Sequence, residues 1–387
     1  MVLSEQDKDE LVSAAGQLLD RRSSPSQVRA VIETAAGFDA ELWAHFVELG
    51  WTGVHVPEPL GGAGAGYGGL EVVLHQIGRH LTPSPFLASA VLGTEALLAA
   101  PVPSLRERLV PRLAAGDIRA TVALAARDGS YDADRCTVRW GPEGSGVRLS
   151  GEAGYVLDAD VADFIFVSAT SGDGTPLVAA VAREADGVAV SRLPMVDRTQ
   201  RLFSVSFDSV SVRDDGLLAE PGEQACALIE RIVSVGSLAV ACDAVGAAAQ
   251  MTEMTAEYVK ERRQFGRPVG SFQAVKHICA DMVIHLEASR AAVRTAFEAL
   301  DEGSADVQAI ADVTSSYTGP ACSKVCGLGI RAHGGIGFTW EHEAHMYLKR
   351  AKLDEMLMGS PVWHRRRLSR RVFPEIAASW GRSAVAG

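Results

Sequence analysis

The chain has no excess of positive charge, no paired-cysteine framework, no uninterrupted apolar run and no internal repeat, and each lack removes a class of function. Its formal net charge is −11. That argues against wholesale binding of nucleic acid or an anionic membrane, so an anionic ligand must be met by local cations such as Arg262, Arg263 and Lys276. The cysteines at 136, 226, 242, 279, 322 and 326 are scattered, mostly inside apolar helical segments. This is the cytoplasmic usage of small buried side chains. Cys322 and Cys326 lie one helical turn apart, but no second close pair or histidine with zinc-like spacing accompanies them, so they are read as core and no metal site is expected. The stretch from Ile232 to Ala249 is broken by Ser234, Gly236, Ser237 and Asp243 and is rich in alanine, which reads as buried helix and not as a membrane span. The N-terminal Met1-Val-Leu-Ser-Glu-Gln-Asp-Lys8 shows no basic stretch leading into an apolar run, so no export signal and a cytoplasmic location are expected.

What is present is enough apolar residue, 47% of 387, to bury a large core divided among two or three domains. Helical periodicity marks Glu5 to Leu19, Ser26 to Thr34, Ala40 to Gly50, Gly69 to His80, Ala88 to Ala99 and Ser104 to Ala114, giving an all-helical N-terminal domain over residues 1–118. From Ala120 the period becomes two, in runs that include Val147 to Ser150, Phe164 to Ser168, Pro176 to Ala182, Gly187 to Ser191 and Leu202 to Asp208. These short strands predict a central antiparallel β-domain or small barrel over 119–216. The helical period then returns through Glu223 to Arg262, Phe272 to Asp301, Ala305 to Gly327 and Glu341 to Met358, and four such helices must bury their apolar faces together, so 217–387 is expected to be a four-helix bundle. The fold class is therefore α+β. The tail after Ser379 is expected to fray.

The most informative segment runs from Val259 to Met282. Arg262 and Arg263 stand where a long helix ends, Gly266 and Pro268 force a turn, and Ser271 can cap the next helix. Such a corner aims cations and free backbone N–H groups at one spot, which suits a pyrophosphate. About seventy residues on comes His333-Gly-Gly-Ile-Gly-Phe-Thr-Trp-Glu-His342, continuing to Lys352.

Together these segments resemble the two signatures of the acyl-CoA dehydrogenase family, and the likeness extends back through Leu49 to Gly62 and Ile77 to Phe86. The resemblance implies an N-terminal helical domain, a β-domain and a helix bundle. It also implies α,β-dehydrogenation of an acyl-CoA thioester, in which a carboxylate takes the α-proton and the β-hydrogen leaves as hydride to FAD, with an electron-transferring flavoprotein as acceptor. Arg262, Gln264, Phe265 and Gln273 match positions that contact the FAD diphosphate and adenosine across a subunit interface. Gly334 and Gly335 match the close backbone approach to the adenosine half, and Arg331 stands where a glutamine is usual, as one more phosphate partner or a surface residue.

The chain departs from the family at the base. Counted from Gly334-Gly335, the usual catalytic glutamate falls on Met358, and a thioether cannot take a proton. The other family location, counted back from Phe265, falls on Gly236, with Ser237 beside it. Glu230 lies six residues too early on the helix. Asp354 and Glu355 are read as polar residues on an exposed face or paired to Lys352 and Arg350. The strands that many members place against the flavin ring read Ala123-Leu-Ala-Ala-Arg-Asp-Gly129 and Gly154-Tyr-Val-Leu157 here, without the expected hydroxyls; Tyr155 either covers a flavin face or simply packs. His333, His342 and His345 are weighed as bases, and the latter two are expected to bond solvent or backbone. The resemblance thus implies a base-lacking subunit that completes a partner's FAD site in a heterotetramer, most like enzymes acting on steroid side-chain thioesters. The alternatives are a homo-oligomer using Glu230 or Glu355 as a displaced base, and a flavin-free CoA-ester-binding or assembly protein.

Overall fold

The computed structural model describes residues 3–132 and 135–373; the tail expected to fray lies outside them. Six helices come first: α1 (Glu5–Arg22), α2 (Pro25–Ile32), α3 (Ala40–Glu48), α4 (Gly66–Arg79), α5 (Thr94–Leu98) and α6 (Pro103–Ala114), with a π-helical stretch Phe86–Gly93 running into α5. Their starts follow the chain's own capping chemistry. Ser4 and Asp7 form a reciprocal capping box on α1, and the Asp39 carboxylate accepts from the Glu41 and Leu42 amides on α3.

Seven strands follow, β1 (Ala120–Ala123), β2 (Val138–Glu143), β3 (Gly146–Leu157), β4 (Phe164–Thr170), β5 (Pro176–Ala182), β6 (Val188–Arg192) and β7 (Leu202–Arg213). They form one sheet in the order β1-β4-β2-β3-β7-β6, with β5 also on β4. The sheet is mixed where the periodicity predicts antiparallel. β1 runs parallel to β4, because the intervening β2–β3 hairpin is a long enough crossover for a parallel pair. β2 itself is disguised in the sequence by Gly141 and Pro142, residues that normally interrupt strands. A register shift between Ala153 and Val156 of β3 puts Tyr155 at φ 54° and turns its ring out, 42% exposed.

The C-terminal helices are α7 (Glu223–Glu261), α8 (Gln273–Asp301), α9 (Val307–His333), α10 (Ala344–Asp354) and α11 (Pro361–Val372). α10 stops four residues before Met358, and a fifth helix follows. Met358 (φ 60°) and Gly359 (φ 116°) break the chain, and Ser360 caps α11 with Pro361 at its first position. α7 has the length and apolarity of a membrane span, yet its most apolar window is entirely buried. Its small residues let α4 cross in backbone contact: a Cβ on Gly246 would sit 2.1 Å from His75 O, and one on Gly78 2.1 Å from Asp243 O. All six cysteines are free.

One buried cation ties the sheet to the bundle. Arg350, fully buried on α10, donates to Asp197 (3.1 Å) and Thr199 of the β6–β7 loop and to Asp243 of α7 (2.8 Å). A guanidinium taken from water is tolerable only with such complete pairing. Asp354, one turn further on, is buried with them and not exposed as its sequence setting suggests; burial and neighbouring Asp243 hold its carboxyl well above the usual carboxylate range.

Candidate functional site

At the end of α7 the chain forms a two-residue hairpin, β8 (Arg263–Gln264) and β9 (Arg267–Pro268), through Phe265 (φ 53°) and Gly266 (φ 78°). Two successive positive φ angles match the twist of a tight hairpin. The Val269 amide donates to Arg262 O and closes the corner. Ser271 is not the cap of α8: its hydroxyl donates to Pro268 O, and Phe272 holds the cap position without a side-chain bond. Arg262, Arg263, Gln264 and Gln273 are exposed. Phe265 is 91% exposed. No ion pair engages Arg262 or Arg263 among the described residues.

The second segment meets the first here. Tyr258, one turn before Arg262, stacks on His333 at 4.5 Å and donates its hydroxyl proton to His333 O. Gly334 turns the chain at φ 68°, and neither Gly334 nor Gly335 has any atom within 4 Å of an added Cβ. Their backbone is open to close approach. Arg331 is exposed beside them, as are Phe338 and Trp340. His342 bonds backbone as expected, accepting from the Ala344 amide, but His345 does not: it is buried against Trp340 with neither ring nitrogen bonded. Burial and the Lys349 and Arg29 charges push its pKa down to about 4. Among the described residues no cluster can hold a metal ion.

The two positions at which the signatures' spacing looks for a base, Met358 and Gly236, lie against each other. A Cβ on Gly236 of α7 would lie 2.6 Å from Met358 Cε and 2.6 Å from Leu92 Cδ2 of the π-helical stretch. Counts from two separate signatures therefore converge on a single point, and the Met358 methyl group fills it. Met358 is 2% exposed, and its amide donates to the Tyr131 hydroxyl at 3.3 Å. The void beside it, lined by Val122, Leu124, Leu157 and Leu357 as well as both tyrosines, has a volume of about 10 Å³, the room of one water molecule at most. No carboxylate lines it. Glu230 is exposed on α7. Glu355 accepts from Ser323 (2.6 Å) and Lys352 (2.7 Å) and faces a different small gap, shared with Asp354 and Ser237 on the other side of Leu357. Sequence reasoning misses Leu92 and Tyr131. Only the sharp turn signal Asp128-Gly-Ser130 beside the latter hints that a side chain is being aimed.

Between the sheet and helices α10 and α11 lies a cleft of about 860 Å³. Tyr131 and Tyr155 line both this cleft and the sealed void, and so stand as a partition between them. The flanking loop uses its own donors: the Ala126 amide bonds Ser130 O, the Gly129 amide bonds Ala126 O, and the Ser130 and Asp132 amides bond Asp128 and Ser130 side chains. The two halves of an FAD would fare differently here. The corner, with unpaired guanidinium groups and open glycine backbone, fits a diphosphate and adenosine. The cleft offers a flavin ring less: the Ala126, Gly129, Ser130 and Asp132 amides of its loop are already bonded within the loop, and Tyr131 and Tyr155 stand between it and Met358.

Residues 5–117 match the family described as acyl-CoA dehydrogenase, N-terminal domain, and residues 227–373 match acyl-CoA dehydrogenase, C-terminal domain. Acyl-CoA dehydrogenase IpdE2 of Mycobacterium tuberculosis is 32% identical over 370 residues, covering 95% of this chain and 98% of that one. Among solved structures, a variant of the Tcur3481-Tcur3483 steroid ACAD superposes with a TM-score of 0.87 at 31% identity, covering 96% of this chain and 99% of that chain. The ChsE4-ChsE5 complex from Mycobacterium tuberculosis gives 0.86 at 28% identity, with 96% and 98% covered. With helical domain, sheet, bundle and both signature segments in place along nearly its whole length, the chain belongs to the acyl-CoA dehydrogenase family.

Proposed function

We propose that this chain is a base-lacking, cytoplasmic subunit of a heteromeric acyl-CoA dehydrogenase acting on a bulky, steroid-type acyl-CoA thioester. The observation that carries the reading is the packing of Met358 against Gly236, which leaves no carboxylate and no room for a thioester where the family performs proton abstraction. The two-component names of the structural relatives support it. FAD, when bound, supplies the hydride acceptor of the family reaction. This chain's part is to hold it. Arg262 and Arg331 neutralise the diphosphate, Gln264 and Gln273 offer amide hydrogen bonds, Phe265 packs on the adenosine half, and Gly334 and Gly335 admit it to the backbone. The partner subunit supplies the ring cleft, the base and the thioester site, and an electron-transferring flavoprotein takes the electrons. No observation favours a displaced base: Glu230 faces solvent and Glu355 is tied to Lys352.

Purification tests this reading. The chain expressed alone is expected to be colourless, and co-expression with a second family member carrying a base glutamate is expected to give a yellow, active assembly with one FAD for each pair of chains. A yellow homomer active on an acyl-CoA thioester would overturn it in favour of a displaced base. Failure to take up FAD with any partner would favour a flavin-free, CoA-ester-binding role.

A further inference from the structure

We propose that the outward face of α11 docks this chain on an anionic lipid bilayer. The proposal does not depend on the heteromer reading. Although the chain has a net charge of −11, residues 361–373 carry five arginines, at 365, 366, 367, 370 and 371, and no acid. Polar groups do much to fasten this helix to α9. His364 Nδ1 bonds Asp312 at 2.8 Å and Arg367 pairs with the other oxygen of Asp312 at 3.5 Å. Arg371 donates to Gln308 of α9 and pairs with Asp306 just before it. Large apolar side chains are left facing out: Val362, Val372 and Phe373 are 57%, 55% and 56% exposed.

Spaced by four, four and three residues, Val362, Arg366, Arg370 and Phe373 fall on one stripe of the helix. Arg366 and Arg370 are exposed, as is Arg365 beside them, which donates only to Ser316 O. None of the three has an ion pair among the described residues. The acids to set against them are few. Asp132 accepts from the neutral Trp363 Nε1–H and keeps its charge, and the sequence outside the described residues adds Asp134 and Glu375 but also Arg382. Even with all of these counted, arginine outnumbers acid here. The acidic remainder of the chain is screened beyond about 8 Å at physiological ionic strength. Arginine interleaved with exposed valine and phenylalanine suits the interface of a bilayer, where guanidinium groups meet lipid phosphates and apolar groups reach the acyl boundary. A soluble polyanion would engage the arginines and leave both apolar ends of the stripe in water.

Sedimentation of the purified full chain with vesicles tests this, using phosphatidylcholine alone or mixed equally with phosphatidylglycerol. Binding is expected with the mixed vesicles, weakening as salt is raised, and little with phosphatidylcholine alone. Arg366→Ala and Arg370→Ala are each expected to weaken partitioning about fivefold, and together about thirtyfold, at an unchanged melting temperature. Phe373→Ser is expected to weaken it as well, which a purely ionic contact would not show. Absence of binding to the mixed vesicles, equal binding to both kinds, or variants that bind like the parent chain would overturn the proposal. So would release of the bound chain by inorganic phosphate at constant ionic strength, which would make the arginines a soluble-anion site. Loss of vesicle binding on assembly with a second family member would overturn it too, by making the stripe a subunit contact. The colour and activity of that assembly, which test the heteromer, are read separately.

Discussion

The corner at Arg262 and the packed contact of Gly236 with Met358 lie at two points of the same long helix, α7, yet they are opposite kinds of surface. At the corner, Arg262, Gln264, Phe265 and Gln273 stand in solvent, and an added methyl group on Gly335 would touch nothing. Some twenty-six residues back along the helix, an added methyl group on Gly236 would strike two side chains at once. A surface that offers unpaired donors is arranged for a ligand, whereas an interior packed to the last methyl group is arranged against one. The difference teaches that holding the cofactor and doing the proton chemistry are separable in this architecture. On the proposed reading, this chain keeps the first and has given up the second.

The sharpest way to break that contrast is to force a base into the closed region. Gly236→Glu adds side-chain atoms where Leu92 and Met358 already sit and buries a carboxyl with no partner. Overpacking and an unsatisfied polar group together are expected to cost about 4 kcal/mol, read as a large fall in denaturation midpoint. Gly335→Ala, the same kind of change at the open corner, is expected to shift stability by less than about 0.5 kcal/mol. Equal tolerance at the two sites would mean that the void opens in solution.

Arg262→Ala probes the other side of the contrast. In the FAD-bearing assembly it is expected to weaken FAD by about 1.5–3 kcal/mol, roughly tenfold to over a hundredfold, while the melting temperature of the isolated chain barely moves; lysine should restore only part of the loss. Unchanged FAD affinity would return Arg262 to a solvated helix end.

A smaller effect comes from Asp354, on the bundle side of the closed region. Its pKa in the folded chain lies well above the ordinary value of 3.8, so the folded state holds a proton that the unfolded state has released. Stability is therefore expected to fall as pH rises from about 4 towards the folded pKa, by about 1.4 kcal/mol for each tenfold separation of the two dissociation constants. Asp354→Asn should remove that fall, so that the variant gains on the parent chain as pH rises. A parallel pH profile for the two proteins would show that Asp354 ionises freely.

Much of this was legible in the chain. The helices from Glu5 and from Glu223, the strands of β4, β5 and β7 and the corner at Gly266 all follow from periodicity and turn chemistry, because each is a local pattern. That no acid stands at Met358 or Gly236 is read directly from the chain by counting from the two signatures. That Met358 and Gly236 touch was not legible, since it depends on how α7, the π-helical stretch and the turn after α10 meet in space. The same limit hid Asp354 and His345, whose polar side chains suggest solvent but which tertiary packing buries. α11 was missed although Ser360-Pro361 is a helix-start signature, because the expected end of the preceding helix was carried four residues too far.

The central claim is that no proton abstraction occurs in this chain's own pocket. Anaerobic mixing of the isolated chain and excess FAD with straight, branched and steroid-type acyl-CoA thioesters tests it directly through the flavin absorbance. The account predicts no substrate-dependent bleaching with any of them. Rapid bleaching by one thioester would contradict it, and loss of that bleaching in Glu230→Gln or Glu355→Gln would name the displaced base.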